Sequence, residues 1–233
     1  SNARQILYIA MHISPFKVEE WMNAYETQAK INIAETCVNS VSLDELFALT
    51  GENKQAFLDA FCARRLTYGD IVGKPELREG ICDLFQTLNP NEVVTTHGAA
   101  GANHLAMYAL IHPGDHVISV LPTYQQLYAI PQSFGAQVDL LPLREENGFL
   151  PDLDELRGLI KPNTRLICLN NPNNPTGALM TRPMLEAVVA MAREVGAYVL
   201  CDEVYRHLTQ TDAWSESIVD LYEKGISIGS MSK

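Results

Sequence analysis

Three short polar segments in the second half of the chain hold side chains that could do chemistry. Residues 171–177 are Asn-Pro-Asn-Asn-Pro-Thr-Gly, in which prolines and a glycine fix the path of a loop and closely spaced amides can donate or accept hydrogen bonds. Asp202, with Tyr205 close behind, follows an apolar run, where burying a carboxylate is costly unless a partner keeps it charged. Capping a helix is the alternative role for Asp202. Ser230 and Lys233 bring a hydroxyl and an amine together.

Two further segments could contact a ligand. Residues 98–102 are Gly-Ala-Ala-Gly-Ala, which would let the backbone approach a ligand closely. If a helix begins here, its free N–H groups suit a phosphate. A tight turn between a strand and a helix uses the same residues, so both interpretations stay open. Tyr124 could stack on a flat ring, or it could line the core or its rim.

These segments follow the ends of predicted strands. From about residue 90 the sequence alternates short β-rich runs with longer helical patterns. The predicted strands are 93–96, 117–120, 137–141, 165–169, 198–201 and 227–229. The predicted helices between them are 102–110, 124–133, 153–159, 182–195 and 216–222. Apolar strands separated by helices predict an α/β fold with a three-layer, doubly wound, mostly parallel sheet, which binds ligands beyond the carboxyl ends of its strands.

The first 90 residues differ because they are rich in helical patterns alone. The predicted helices are 18–29, 43–49, 56–64 and 76–87. We expect an N-terminal arm and a lead-in helix packed on the sheet, with a junction near Asn89 and Pro90.

Composition disfavours several classes of protein. Of the 233 residues 47% are hydrophobic and 19% charged, so the chain can bury a sizeable core and is not disordered. The 28 acidic residues exceed the 17 Lys and Arg residues and give a net charge of −11, which disfavours nucleic acid and anionic membranes as partners. No apolar run is close in length to the about 18 consecutive residues that a membrane span needs. Five scattered cysteines without a CxxC pair argue against a disulfide framework or a metal site and favour a reducing cytoplasm.

The order of the polar segments resembles that of a known family. Residues 172–177, Asp-Glu-Val-Tyr at 202–205 and Ser-Met-Ser-Lys at 230–233 are similar, in order and approximate spacing, to motifs of the fold type I, pyridoxal-phosphate-dependent aminotransferases of class I and II. Upstream, Tyr68 and residues 73–78 resemble a further motif of that family. The N-terminal arm and the Thr96-His97-Gly98 stretch also look like those of a subgroup that includes capreomycidine-synthase-like proteins.

This resemblance implies pyridoxal 5′-phosphate as the cofactor and gives several residues a role toward it. Lys233 would form a Schiff base with the cofactor and then move the α-proton of the substrate. Schiff-base chemistry needs an amine that loses its proton near neutral pH. A cationic, partly desolvated site would lower the pKa of that lysine. Asp202 would pair with the protonated pyridine nitrogen, so that the ring can accept electrons. Asn174 and Tyr205 would hydrogen-bond the phenolic oxygen.

The remaining implied contacts surround the ring face and the phosphate. Tyr124 would stack on the ring. The first turn of a helix and a nearby hydroxyl would hold the phosphate, through Gly98, Ala99, Ala100 and Ser230. Tyr68 would reach the phosphate of a neighbouring subunit, which implies a homodimer with shared sites.

The resemblance also implies a division of the chain and an activity. Residues 4–66 would form the N-terminal helical arm and lead-in, and residues 67–233 an incomplete large domain that binds pyridoxal phosphate and ends at the Schiff-base lysine. The family's C-terminal small domain is missing from the sequence, so we expect a fragment. The enzyme would transfer an amino group between an amino acid and a 2-oxo acid in the cytoplasm, with no metal ion.

Two alternatives stay open. The same scaffold serves C–S lyases, decarboxylases and cyclising enzymes of the capreomycidine-synthase sort, and the reaction depends on which Cα bond stands perpendicular to the ring. The other alternative is a nonenzymatic effector-binding module of the same fold, against which the negative charge and the lack of a helix-turn-helix segment weigh.

Overall fold

The computed structural model describes residues 11–209, 211 and 213–233. In these residues, five parallel strands form one sheet in the order β2-β1-β3-β4-β5. The strands are β1 (His116–Leu121), β2 (Gln137–Pro142), β3 (Thr164–Asn170), β4 (Tyr198–Asp202) and β5 (Gly225–Ile228). The chain runs outward from β1 to β2 and then from β3 toward the opposite edge. The strand order therefore reverses between β1 and β3, which is where α/β sheets of this type bind ligands.

Helices flank the sheet on both faces. In chain order they are α1 (Lys17–Tyr25), α2 (Leu43–Thr50), α3 (Lys54–Cys62), α4 (Pro75–Cys82), α5 (Gly98–Leu110), α6 (Gln126–Ser133), α7 (Leu153–Leu159) and α8 (Arg182–Val195). Successive strand residues point to opposite faces. Leu166 and Cys168 pack under α5 and α6, whereas Ile167 and Leu169 belong to the core under α7 and α8. The predicted three-layer, doubly wound fold is confirmed.

The helix ends follow local chemistry. The side chain of Asp152 caps α7 by accepting the N–H groups of Asp154 and Glu155 at 2.9 Å each. Helix α8 ends at Val195 and is capped by Gly196, whose φ of 71° lies in the left-handed region that favours glycine. These signals explain why the bounds of both helices agree with the sequence prediction.

Two predicted elements are wrong. Residues 93–96 form no strand in the described part of the chain, and Val94 is 55% exposed. The N–H of Thr95 donates to the Val72 carbonyl at 3.0 Å, and the N–H of Val93 donates to the Pro90 carbonyl at 3.3 Å. The helix predicted over 216–222 shrinks to a 3-10 turn, Ile218–Asp220, and the N–H of Ile218 at its start donates to the side chain of Glu203 at 2.8 Å.

The N-terminal helices sit apart from the core. None of the described residues of α1–α4 is buried, so the expected packing of the lead-in helix on the sheet is wrong for α4. Instead, polar contacts tie the chain after α4 to the 3-10 turn that precedes β5. The N–H groups of Gln86 and Thr87 both donate to Asp220 at 2.9 Å. The division at residue 66 stays a prediction.

No helix among the described residues is both long enough and apolar enough to cross a membrane.

Candidate functional site

The polar segments meet at the carboxyl edge of the sheet. Asn170 at the end of β3 lies opposite Asp202 at the end of β4. The side chain of Asn170 and the N–H of Asn171 both donate to the Asp202 carbonyl, at 2.8 and 2.9 Å. The loop after β3 is therefore fastened to the strand that carries the acid.

Asp202 is a buried carboxylate, only 4% exposed. Its Oδ2 accepts the side-chain N–H of Asn103 at 2.9 Å, and its Oδ1 accepts the N–H of Val204 at 3.3 Å. Burial raises the pKa of Asp202, although these donors and the charge of Lys233 oppose the rise. Asp202 does not cap a helix, because no helix starts directly after it in the described residues; its only bond of that kind is the one from the N–H of Val204.

Asn174 and Tyr205 come together as the resemblance implies. The backbone N–H of Asn174 donates to the Asn170 side-chain oxygen at 2.5 Å. This bond fixes the backbone position from which the Asn174 side chain extends. The side-chain N–H of Asn174 then reaches the Tyr205 hydroxyl at 3.4 Å. The Tyr205 hydroxyl also lies 2.9 Å from that of Thr36, so the N-terminal arm touches the site at this point.

Lys233 lies on the same side of the sheet. Its Nζ donates to the Cys37 thiol at 3.3 Å and lies 5.8 Å from the centre of the Tyr205 ring. Its carbonyl accepts the ring N–H of His207 at 2.8 Å. These contacts place the amine between the arm and the segment that follows Asp202.

The expectation of a lowered pKa for Lys233 is wrong in this structure. Partial burial lowers the pKa, but the Cys37 thiol and the acidic groups of Tyr205 and Glu35 outweigh it and raise the pKa above its usual range. The pKa rises because the groups that act on this amine are hydrogen-bond acceptors or potential anions rather than cations.

The turn of small residues forms the first turn of α5. Gly98 has a φ of 69°, a conformation that favours glycine, and the helix starts at that residue. In the described structure the side chain of His97 makes no capping bond to the first N–H groups, which include those of Ala99 and Ala100. Uncapped N–H groups at a helix start suit an anion. Ser230 lies 2.7 Å from Ser232, hydroxyl to hydroxyl.

Tyr124 lies at the edge of the site. Its ring meets that of Phe16 edge-on at 6.1 Å, and its hydroxyl donates to Glu19 at 3.3 Å. Burial, followed by the nearby carboxylate of Glu19 and smaller effects of Asp202 and Tyr205, raises the pKa of Tyr124 to about 12. The hydroxyl therefore stays protonated at any physiological pH.

Tyr68 lies apart from these residues. It is fully exposed and precedes α4. Its expected contact with a neighbouring subunit stays a prediction.

Sequence reasoning missed several residues of this site. Asn103 and Gln126 are buried and lie in helices, where their amides were hidden among apolar neighbours. Thr36 and Cys37 come from the arm, about 170 residues or more away in sequence. A polar residue on the buried side of α5, four positions before Met107, was the only local signal for Asn103.

Comparisons with known proteins agree with this geometry. The family described as Aminotransferase class I and II matches residues 36–233. Arginine–pyruvate transaminase of Pseudomonas aeruginosa is 32% identical over 193 residues, which cover 81% of this chain and 49% of that protein. Capreomycidine synthase of Streptomyces vinaceus is 32% identical over 219 residues, which cover 93% of this chain and 55% of that protein.

A solved structure is also similar. The crystal structure of a PLP-dependent aminotransferase from Streptococcus suis has a TM-score of 0.92 and 50% sequence identity, covering 96% of this chain and 59% of that one. The resemblance inferred from the sequence motifs is therefore confirmed. The chain spans about half the length of the curated relatives it matches.

Proposed function

Since the chain belongs to the family of class I and II aminotransferases, whose cofactor is pyridoxal 5′-phosphate, we propose that it forms the cofactor-binding part of an enzyme that transfers an amino group between an amino acid and a 2-oxo acid. The observation that supports this most is the meeting of Asp202, the Asn174–Tyr205 pair and Lys233 at one edge of the sheet. They supply an acid, a hydrogen-bonding pair and an amine, which are the groups that this cofactor needs.

The residues fit the cofactor, and Asp202 gives the clearest test. Its raised pKa reflects a desolvation that its two N–H donors do not offset. A cationic N–H group, such as a protonated pyridine nitrogen, would relieve that cost. Asp202 would therefore hold the ring nitrogen, and its charge would keep a proton there.

When bound, pyridoxal phosphate supplies an electron sink for the electron pair of a substrate Cα bond. Lys233 would attach to the cofactor through Nζ, and the same amine would carry the substrate's α-proton. Because the surroundings of Lys233 raise its pKa, the amine holds a proton at neutral pH and must lose it before it can react.

Asn174 and Tyr205 would bind the phenolic oxygen of the ring. Support for this role is the 3.4 Å contact between the amide nitrogen and the hydroxyl, which would put one ligand atom within reach of both. Tyr124 would cover one ring face and keep water from it. Support for this role comes from its partial burial and from its proximity to Asp202.

The phosphate would lie at the start of α5. Gly98 forms the turn there, and the uncapped N–H groups of Ala99 and Ala100 are free to donate. Ser230 would add a hydroxyl donor. A helix of 13 residues gives this end a positive dipole that favours a dianion.

We also propose a homodimer and a cytoplasmic location. Tyr68 is fully exposed, and apolar side chains of α2 and α3 are more than half exposed and would be covered by a second copy; among them are Leu43, Leu49 and Phe61. All five cysteines are described and are free thiols, as expected in a reducing compartment.

The test uses the full-length protein and pyridoxal phosphate. Addition of the cofactor should give an absorption band near that of a lysine-bound pyridoxal, and an amino acid should then convert it to the amine form. Lys233→Ala should lose the band, whereas Lys224→Ala, which removes an amine that bonds the Gly196 carbonyl, should keep it. An unchanged band in Lys233→Ala would refute the role of this lysine.

The similarity to capreomycidine synthase over 93% of the chain favours one second candidate, another reaction of the same cofactor. The same experiment separates the two. Formation of a 2-oxo acid with the amine form of the cofactor indicates amino transfer. Release of ammonia or carbon dioxide without the amine form indicates a lyase, decarboxylase or cyclising enzyme instead.

A further inference from the structure

We propose that Asn103 and Gln126 are positioning residues, which form a relay of hydrogen bonds from the Ala100 carbonyl to Asp202 and so hold Asp202 in place as a carboxylate. The relay joins the first turn of α5 to the end of β4. The inference rests on the proposed function, because it takes Asp202 as the partner of the cofactor's ring nitrogen.

The contacts that make up the relay are all internal. Asn103, fully buried in α5, donates its side-chain N–H groups to Asp202 at 2.9 Å and to the Gln126 Oε1 at 3.3 Å. Gln126, at the start of α6 and 5% exposed, donates its own side-chain N–H to the Ala100 carbonyl at 2.7 Å.

The direction of the relay follows from donor and acceptor chemistry. A backbone carbonyl can only accept, so Gln126 must turn its NH₂ group toward Ala100 and its oxygen toward Asn103. That oxygen also accepts only, so Asn103 must present its NH₂ group, and the second hydrogen of that group meets Asp202. An acceptor is therefore required at the Asp202 Oδ2, and the carboxylate meets that requirement without carrying a proton there.

The charged and titratable groups that face Asp202 do not replace the relay. The charge of Lys233 lowers the pKa of Asp202, but it is the weakest of the effects that do so, after Asn103 and Val204. Tyr124 is protonated and its own pKa is raised, in part by Asp202. The neighbouring acid, Glu203, accepts hydrogen bonds from Ser217 and Ser227 instead.

A purely structural role explains Asn103 poorly. Its neighbours under α5 are apolar, with Met107 one turn along the helix and fully buried. The Asn103 Oδ1 is buried and has no hydrogen-bond partner among the described residues, which costs stability. An apolar side chain would pack there without that cost, so the amide is explained by what its NH₂ group does for Asp202.

The experiment compares Asn103→Leu, Gln126→Leu and the matched control Met107→Leu, a buried position on the same helix outside the relay. In the cofactor-free full-length protein, the ¹³Cγ signal of Asp202, assigned with Asp202→Asn, is titrated by NMR. We expect Asn103→Leu to raise the pKa of Asp202, Gln126→Leu to raise it less, and Met107→Leu to leave it unchanged. With pyridoxal phosphate, Asn103→Leu should raise the dissociation constant about tenfold or more, because a hydrogen bond to a charged group is lost.

An unchanged pKa of Asp202 in a folded Asn103→Leu protein would overturn the relay. If that variant does not fold, Gln126→Leu decides in its place, and an unchanged pKa there has the same meaning. A wild-type protein that does not bind pyridoxal phosphate would count against the proposed function, but the titration of the cofactor-free protein would still decide whether the relay exists.

Discussion

The carboxyl edge of the sheet and the N-terminal arm, residues 11–66, contribute to the same site in opposite ways. At the sheet edge polar side chains such as Asn103, Asn170 and Asp202 are buried and bonded to one another. The arm reaches the site through exposed side chains, among them Thr36 and Cys37. Buried polar contacts are costly to break, whereas exposed ones contribute little to stability. The sheet edge therefore fixes the geometry of the site, and the arm covers it.

Two adjacent carboxylates show the same difference on a smaller scale. Burial raises the pKa of both Asp202 and Glu203. Glu203 receives three donors, from Ser217, Ile218 and Ser227, at 2.6–2.8 Å, and ties β4 to β5 and to the turn before it. Asp202 receives two donors at 2.9 and 3.3 Å and keeps capacity for a ligand. Glu203 is thus structural, and Asp202 faces the site.

The largest expected effect concerns Asp202. Asp202→Asn should lower the rate of amino transfer about a hundredfold or more, because the ring nitrogen loses the charge that keeps it protonated. The fold should not weaken, since a neutral amide avoids the desolvation of a buried carboxylate. Steady-state kinetics and urea unfolding check both parts. An Asp202→Asn variant that unfolds more easily at neutral pH would contradict the claim that Asp202, unlike Glu203, does not stabilise the fold.

The stability of the cofactor-free protein should also depend on pH through Asp202. Its pKa is raised in the folded state, so the folded protein binds more protons than the unfolded chain above the usual value of 3.8. The stabilisation from its proton is therefore present at low pH and lost as pH rises through the folded-state pKa. Relative to Asp202→Asn, the wild type should lose stability over that range, as urea midpoints at several pH values would show. A constant difference would contradict it.

Substitution of Glu203, unlike substitution of Asp202, should weaken the fold. Glu203→Ala should lower the free energy of unfolding by about 2 kcal/mol or more, because it leaves buried hydroxyl and N–H donors without an acceptor. The control is Glu194→Ala, which removes an exposed carboxylate of α8 and should leave the urea midpoint unchanged. Equal effects of the two variants would show that the buried acid is not structural.

Lys233 should make reconstitution depend on pH. Because its pKa is raised, the reactive free amine is scarce at neutral pH, and the rate of cofactor attachment should rise about tenfold per pH unit below that pKa. Stopped-flow absorption at several pH values measures the rate. A rate that does not change between pH 7 and 9 would mean that the amine is already free.

The smallest effect belongs to the arm. Thr36→Val removes the hydroxyl that meets Tyr205, and the free energy of unfolding should change by less than about 0.5 kcal/mol. Thr67→Val, at another exposed threonine, is the control. A loss well above 1 kcal/mol in Thr36→Val alone would show that the arm helps to hold the fold, and would remove the difference between the two regions.

The central part of the fold was predictable because its signals are local. Strands 117–120 and 165–169 are apolar runs that need helices on both faces, and α7 and α8 carry their own start or stop residues. Residues 93–96 have the same local pattern but gain no partner strand among the described residues. Pairing depends on which strand lies alongside, and a single run of sequence does not contain that information.

The site residues that lie in short sequence motifs could be predicted. Asp202, Asn174 and Tyr205 lie in short motifs and do meet. Asn103 could not be assigned, because its importance comes from Asp202, 99 positions further along the chain. The direction of the Lys233 pKa was missed for the same reason, since Cys37 lies 196 positions away.

The attachment point of the cofactor tests the central claim most directly. The full-length protein would be saturated with pyridoxal phosphate, reduced with borohydride to fix the cofactor to its lysine, digested and mapped by mass spectrometry. We expect the pyridoxyl group on Lys233, with Lys224 unmodified. A protein that carries the group on another lysine, or on none, would contradict the account of this sheet edge as the cofactor site.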